Sequence, residues 1–580
     1  ARRAPAPDTT PIAAVVPGMI QTPAPREMAH AGAQPAAPEM APAPPVEGKF
    51  GYYFPQAAGL PGLEDMPDMP DLLDALADSM VEPQDDARLE TNSKIPPIYT
   101  YLGQFIDHDL TANTDRDTAI SIIDGAIAPL PRADVEMNLR NLRDGSLGLD
   151  SLYGDAQGQG PFADKLAQLM RFPVDDRKMR LAFPSSTGRR VPLPLDNAAD
   201  MLRLGFLLKN NLLTLTELQA LQPQALRDVF IDPGTGEPIK TRAIIGDARN
   251  DENLLVAQLH VLFLRLHNKL VDAMGAGDFA KARQLTTRHY QWLVVNSYLP
   301  TVCDPAIVQE VIDRGAPLYA DFFAAQGGGA PKMPMPLEFS VAGFRFGHSM
   351  IRSSYDHNRI FGTQEGEGEN FGNSPFNLLF AFTGSGGMPN EPADAIGQLP
   401  QRWVIEWERF IKLDPAHPLR SARKIDTDLA FPLSDMSNQP PGVFKHLARR
   451  NLRRGYRLNL PTAQSCIAAI QAAGFAPFRT LTPEQLASGS QARHDAVTNG
   501  HFDTATPLWF YILKEAEVLA CGQHLGPLGS HIVANTLVGL VAQDPTSYWN
   551  REGGRWSPAL FDAAKPIDSL EDMAEFCGML

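Results

Sequence analysis

Cysteine is scarce: the 580-residue chain has four, Cys303, Cys466, Cys521 and Cys577. They lie far apart, with no CxxC pair and no zinc spacing, which excludes a zinc ribbon, a CxxC redox motif and a disulfide-dense scaffold. They read mainly as buried small hydrophobes, with room for one disulfide, and they do not decide the redox compartment. No run of about 18 apolar residues occurs, so no transmembrane helix is expected. No signal peptide is visible, and the sequence opens on Ala1. A secreted or periplasmic location is nonetheless the favoured reading. Positive charge is short, with 51 Lys and Arg against 67 Asp and Glu and a formal net charge of −16. That balance argues against nucleic acid or an anionic membrane as the main partner. No internal repeat is present.

What remains is an ordinary globular composition, long enough to bury a large core around a cofactor. Residues 1–46 are dominated by Ala and Pro and are expected to form a disordered or extended tail. Residues 47–580 are expected to form one large domain, mainly α with few short strands. Leu255, Leu259, Leu262, Phe263, Leu266 and Leu270 form one stripe at helical spacing, and similar stripes run through 198–208 and 283–299. Loops are expected at 64–70, 327–329, 384–387 and the acidic run 365–369, which reads as a solvated turn before it reads as a cation site.

Three segments place polar groups on apolar helix faces. In the first, Ile98, Tyr101, Leu102 and Phe105 form a stripe that continues onto His108. Gln104, Asp107 and His108 are helical neighbours, so a histidine and a carboxylate point to one buried region. A buried carboxylate is costly unless paired, coordinated or bonded. In the second, Asp247 reads as a helix cap, while extending the downstream stripe backwards brings Glu252 onto its face with Arg249 one turn earlier. In the third, Phe344, His348, Ile351 and Tyr355 share a helical stripe, and Gly347 would let something large approach the backbone. Together these supply what haem chemistry with peroxide requires: a neutral imidazole for iron, a second histidine to shuttle a proton and a fixed positive charge.

At these residues the chain resembles the animal-type haem peroxidases of the peroxidase–cyclooxygenase superfamily. Gly103-Gln-Phe-Ile-Asp-His-Asp109 is similar to that family's distal-histidine motif, and Gly246-Asp-Ala-Arg-Asn-Asp-Glu252 to its catalytic-arginine motif. Phe344-Arg-Phe-Gly-His348 resembles its proximal-histidine motif, and Arg450-Asn-Leu-Arg-Arg-Gly455 with Leu460-Pro461 resembles the segment that supports it. The order along the chain also agrees, over roughly residues 90–550.

The resemblance implies haem b held by His348, whose other ring nitrogen bonds to Asn451. It implies His108 as the acid/base, Arg249 as the stabiliser of the departing oxygen and Gln104 as the residue ordering water or substrate. Arg345 and Arg454 would hold haem propionates. Asp107 and Glu252 would form ester bonds to haem methyl groups. Asn253 stands where a sulfonium-forming Met would be needed, so no such link is expected. Asp109 and Asp150 would contribute to a calcium site, although Gly148 stands where a further acid is expected. The implied reaction reduces hydrogen peroxide and oxidises small organic donors or halides through a ferryl intermediate. The alternatives are a fatty-acid dioxygenase on the same scaffold and a haem-binding protein without turnover. Dioxygenase relatives carry a radical-forming tyrosine three residues before the proximal histidine, where this chain has Arg345.

Overall fold

The computed structural model describes residues 48–82, 91–112, 123–125, 127–154, 161–184, 198–222, 224–275, 277–329, 332–364, 370–381, 383, 397–436, 439, 441–551 and 554–580. The tail expected over 1–46 and the loops expected at 365–369 and 384–387 lie outside them.

The helices that frame the site are α1 (Ile98–Leu110), α2 (Leu254–Met274), α3 (Phe279–Leu293), α4 (Leu447–Arg457), α5 (Leu508–Leu519) and α6 (Pro527–Gln543). Strands are short, as the sequence predicts. β1 (Gly48–Gly51) lies between β2 (Arg140–Asn141), which is antiparallel to it, and β3 (Met335–Pro336), which is parallel. Two-stranded pairs join 181–182 to 200–201 and 354–355 to 374–375.

α2 is the central rod. Asn253 caps it by accepting the Val256 N–H at 3.0 Å, and Gly275, at φ +66°, ends it. Every residue from Leu254 to His267 is buried. By length and composition α2 is a candidate membrane span, but 89% of its apolar window is buried inside the fold. α1 and α3 pack against it. Phe105 of α1, Phe263 of α2 and Tyr290 of α3 meet in one cluster, with ring centroids 4.9, 5.5 and 6.1 Å apart. Full burial of each such side chain is worth about 1.5–3 kcal/mol, so this cluster fixes the three helices relative to one another.

Beyond α3 the chain makes a π turn, Val294–Tyr298, and one more helical turn, Leu299–Val302. Tyr298 comes so close to α1 that a Cβ on Gly103 would collide with its hydroxyl. Gly103 is therefore demanded by close packing, not by a bend.

The helix expected across Phe344–Tyr355 is corrected. A π turn, Glu338–Ala342, leads into a 3₁₀ segment, Gly343–Met350; Ile351 is already extended and Tyr355 lies in a strand. The expected stripe assumed 3.6 residues per turn, whereas a 3₁₀ segment repeats every three. Arg345 and His348, three apart, therefore share a face. All four cysteines are free, three of them buried, so the disulfide for which the sequence left room does not form.

Arg203 is sealed between two acids. Its guanidinium donates to Asp200 at 2.8 Å and to Asp251 at 2.7 Å, joining the strand 200–201 to the turn that carries Arg249. All three residues are at most 2% exposed. Arg203→Ala would take away the guanidinium that Asp200 and Asp251 share, and removing one partner of such a buried pair costs about 3–5 kcal/mol. Its urea-unfolding midpoint should fall accordingly; an unchanged midpoint would show that the acids are neutralised in another way.

Candidate active site

The last turn of α1 sets out the first half of the site. His108 is buried, while Gln104 and Asp107 keep part of their surface. His108 Nδ1 lies 2.9 Å from Asn250 Oδ1, and its Nε2 lies 3.8 Å from Glu252 Oε1. Burial, and then the charge of Arg249, push the imidazole down to about pKa 4, against the opposing pull of Asp247 and Asp107. At neutral pH His108 is therefore an uncharged base.

The Gln104 amide is held at both ends. Its nitrogen donates to Glu252 and its oxygen accepts from Asn253 at 2.9 Å. This fixes Glu252 over His108, although Glu252 precedes the cap of α2 and does not lie on that helix's stripe. Asp107 accepts from the Thr111 hydroxyl at 2.9 Å and stands 3.9 Å from Arg345 Nη1.

Arg249 belongs to a 3₁₀ turn, Ala248–Asp251, capped by Asp247, which accepts the Arg249 N–H at 2.9 Å. The same carboxylate binds the guanidinium through Nε at 3.1 Å and Nη2 at 2.7 Å. Nη2 also donates to the carbonyls of His108 at 3.0 Å and Thr111 at 2.7 Å. Nη1 has no hydrogen-bond partner among the described residues and remains for a ligand. Arg143 supports Asp247 from behind. Burial alone would raise Asp247, but Arg143 and Arg249 overcome it and hold the carboxyl below the usual range.

On the other side, His348 sits on the 3₁₀ segment, which packs against α1 and α5. Its Nδ1 is 2.9 Å from Nδ2 of Asn451 on α4. Burial, then Arg345 and Arg450, hold it well below its ordinary pKa, so it too is neutral. No described residue hydrogen-bonds its Nε2. A Cβ placed on Gly347 would meet no heavy atom within 4 Å, so open space adjoins the ligand segment. With the Asn451 amide turned over so that its oxygen accepts from Nδ1, a neutral imidazole would present the Nε2 lone pair to this open space, a donor set that fits haem iron. Arg345 is anchored through Nε to Ser340 O at 2.9 Å, and its carbonyl accepts from Trp509 Nε1 at 3.1 Å. Arg454 lies one turn beyond Asn451 on α4 and is half-buried.

Asp109 and Asp150 do come together. Asp109 accepts the backbone N–H groups of Leu149 at 3.0 Å and Ser151 at 3.3 Å, and Asp150 pairs with Arg143 at 3.3 Å. Burial and then Asp150 raise the Asp109 carboxyl well above its ordinary value, and the same two causes push Asp144 up to about 6. Among the described residues, however, no group of three or more His, Cys, Asp or Glu side chains is arranged to hold a metal ion. Sequence reasoning missed Asn250, His260 and Arg143, which reach the site from distant segments.

Residues 202–379 match the family model for animal haem peroxidase, a span that holds Arg249, Glu252 and His348. A peroxidase-like protein of Margaritifera margaritifera is 23% identical over 279 residues, 45% of this chain and 32% of that protein. Human thyroid peroxidase is 28% identical over 130 residues, 20% of this chain and 13% of its own length. The chain thus matches a third or less of the length of these relatives. Peroxidase A of Dictyostelium discoideum superposes with a TM-score of 0.51 at 14% identity, over 91% of this chain and 92% of that one. The fatty acid alpha-dioxygenase of Oryza sativa superposes with a TM-score of 0.53 at 11% identity, over 90% and 81%. These likenesses concern fold alone. Residues 202–379 are thus similar to the animal haem peroxidase family, and the chain as a whole shares its helical fold with peroxidase A and the alpha-dioxygenase.

Proposed function

We propose that the protein is a peroxidase that binds haem through Nε2 of His348, reduces hydrogen peroxide and oxidises small organic donors or halides. One observation carries the reading: the neutral Nε2 of His108 and the uncommitted Nη1 of Arg249 are both fixed to the same end of α1. Haem, when bound, supplies the redox chemistry, taking up oxidising equivalents from peroxide and passing them to the donor. His108 takes the proton from the nearer peroxide oxygen at Nε2 and gives it to the farther one, which leaves as water. Arg249 Nη1 donates to that departing oxygen as charge gathers on it. Asn451 sets the direction of the His348 ring: its amide nitrogen faces Nδ1 here, and turned over, so that its oxygen accepts the Nδ1 proton, the amide would leave the Nε2 lone pair free and strengthen the ring as a donor. Arg345 and Arg454 would hold the propionates, and the carboxylates of Asp107 and Glu252 would form ester bonds to haem methyl groups, each replacing a methyl C–H in a two-electron oxidation for which hydrogen peroxide is the oxidant.

The first test is optical. The purified protein should show a Soret band that shifts with one equivalent of peroxide and returns when guaiacol or bromide is added. His108→Ala should keep the band but lose about 10²–10⁴-fold in the rate of the peroxide step; an unaltered rate would remove His108 from the mechanism. The working form of His108 is unprotonated and its pKa is about 4. The peroxide rate should therefore be flat from pH 5 to pH 8 and fall as pH drops through that value; a fall centred near 6.5, the ordinary histidine value, would contradict the burial argument.

For the covalent link, acid–acetone should leave haem on the wild-type protein and release more of it from Glu252→Gln. Free release from the wild type would end that part of the proposal. The likeness to fatty acid alpha-dioxygenase favours a second reading on the same fold. Arg345 in place of the radical-forming tyrosine weighs against it. Oxygen uptake with palmitate and no added peroxide would decide for it.

A further inference from the structure

Beyond Arg249 the same 3₁₀ turn carries Asn250, which is fully buried. Its Oδ1 lies 2.9 Å from His108 Nδ1, and its Nδ2 lies 3.1 Å from Nδ1 of His260, a fully buried residue of α2. Three side chains from three elements thus form one chain of hydrogen bonds behind the site.

The chemistry of that chain has a direction. A neutral imidazole carries one N–H, and a carbonyl oxygen only accepts. With Oδ1 against it, Nδ1 of His108 must hold the proton, which leaves the lone pair on Nε2. The amide keeps this orientation because its nitrogen needs an acceptor, and among the described residues that acceptor is His260 Nδ1. His260 must then carry its own proton on Nε2, an atom with no partner among the described residues. Burial pushes His260 down to about pKa 3, so it stays an uncharged acceptor. Turned over, the amide would present its NH₂ to His108, drive the proton to Nε2 and leave the site without a base.

The residue type matters as well. A carboxylate in place of Asn250 would draw a second proton onto His108 and make it an imidazolium. An amide fixes which nitrogen is protonated while leaving the ring neutral. The main chain adds precision, because the Asn250 N–H donates to Asp247 O at 2.9 Å. One short turn therefore sets both the guanidinium and the tautomer of the imidazole.

We infer that Asn250, held in place by His260, is the positioning residue that fixes His108 as the Nδ1–H tautomer and so keeps Nε2 as the base that receives the peroxide proton. The inference rests on the reading of His108 as that base. It gives His260 a role too: a buried histidine that touches no substrate but decides which way an amide faces.

The experiment combines spectroscopy and kinetics on the full chain. Long-range ¹H–¹⁵N correlation of ¹⁵N-histidine-labelled protein, haem-free and as the diamagnetic ferrous carbonyl complex, reports which ring nitrogen of His108 is protonated; His108→Ala assigns the signal. Wild type should show Nδ1–H for His108 and Nε2–H for His260. Asn250→Ala should shift His108 towards Nε2–H and slow the peroxide step about 10- to 100-fold, the range typical when the partner orienting a functional histidine is removed. Carbon monoxide binding to the ferrous form needs no proton transfer and should change less than about twofold, which a general distortion of the pocket would not allow. His260→Asn, a milder change, should move His108 the same way. An Nε2–H signal for His108 in wild type would overturn the inference, as would Asn250→Ala with wild-type tautomer and rate. If His108→Ala itself keeps the wild-type rate, the functional reading fails, whatever Asn250 does.

Discussion

The end of a helix leaves carbonyl oxygens without partners, and here one guanidinium fills two of those positions. Arg249 Nη2 bonds to the carbonyls of His108 and Thr111 while Asp247 grips the same group from the side. A cation at a helix C-terminus is favourable in its own right. In this fold it also makes the arginine turn and the histidine helix one body. The rest of the site is arranged around that joint: Glu252 is held over His108 by Gln104, Asn250 stands behind it, and Arg143 braces the acid that clamps the arginine.

The two site histidines are kept neutral by different surroundings. Both are desolvated, but His108 feels Arg249 against two nearby acids, whereas His348 feels Arg345 and Arg450. In the proposed ligand imidazole that environment keeps the ring uncharged, as binding to iron would require. For the imidazole across the site it keeps a base that can still be charged in passing. The acids around them tilt in opposite directions as well: Asp247, between two arginines, stays ionised, while Asp109, facing Asp150, is pushed towards its neutral form. The balance of charge behind α1 thus rests on paired arginines and a raised acid, all supplied by the chain itself.

Much of this was legible in the sequence because α1 obeys the rule used to read it. Ile98, Tyr101, Leu102, Phe105 and His108 are buried at a spacing of three and four, as an α-helical stripe requires. His348 was singled out on the assumption of an α-helix, which the structure replaces with a 3₁₀ segment. Its segment turns every three residues, and the glycines at 343 and 347 were the local hint that an α-helix would not hold there. Glu252 was likewise found for the wrong reason, since it precedes the helix whose stripe it was thought to extend. What the sequence did not show was pairing over distance. Asn250 meets a histidine 142 positions away and Arg143 an aspartate 104 away, and no local periodicity encodes either. His260 left one trace, a histidine inside an otherwise apolar helical run.

The four free thiols bear on how the molecule is made. No disulfide joins the segments that build the site, so the polypeptide can fold without an isomerase to shuffle thiol partners. Assembly is then limited by bringing distant segments together and by the supply of the prosthetic group. The protein fold itself asks nothing of the redox state of its four thiols.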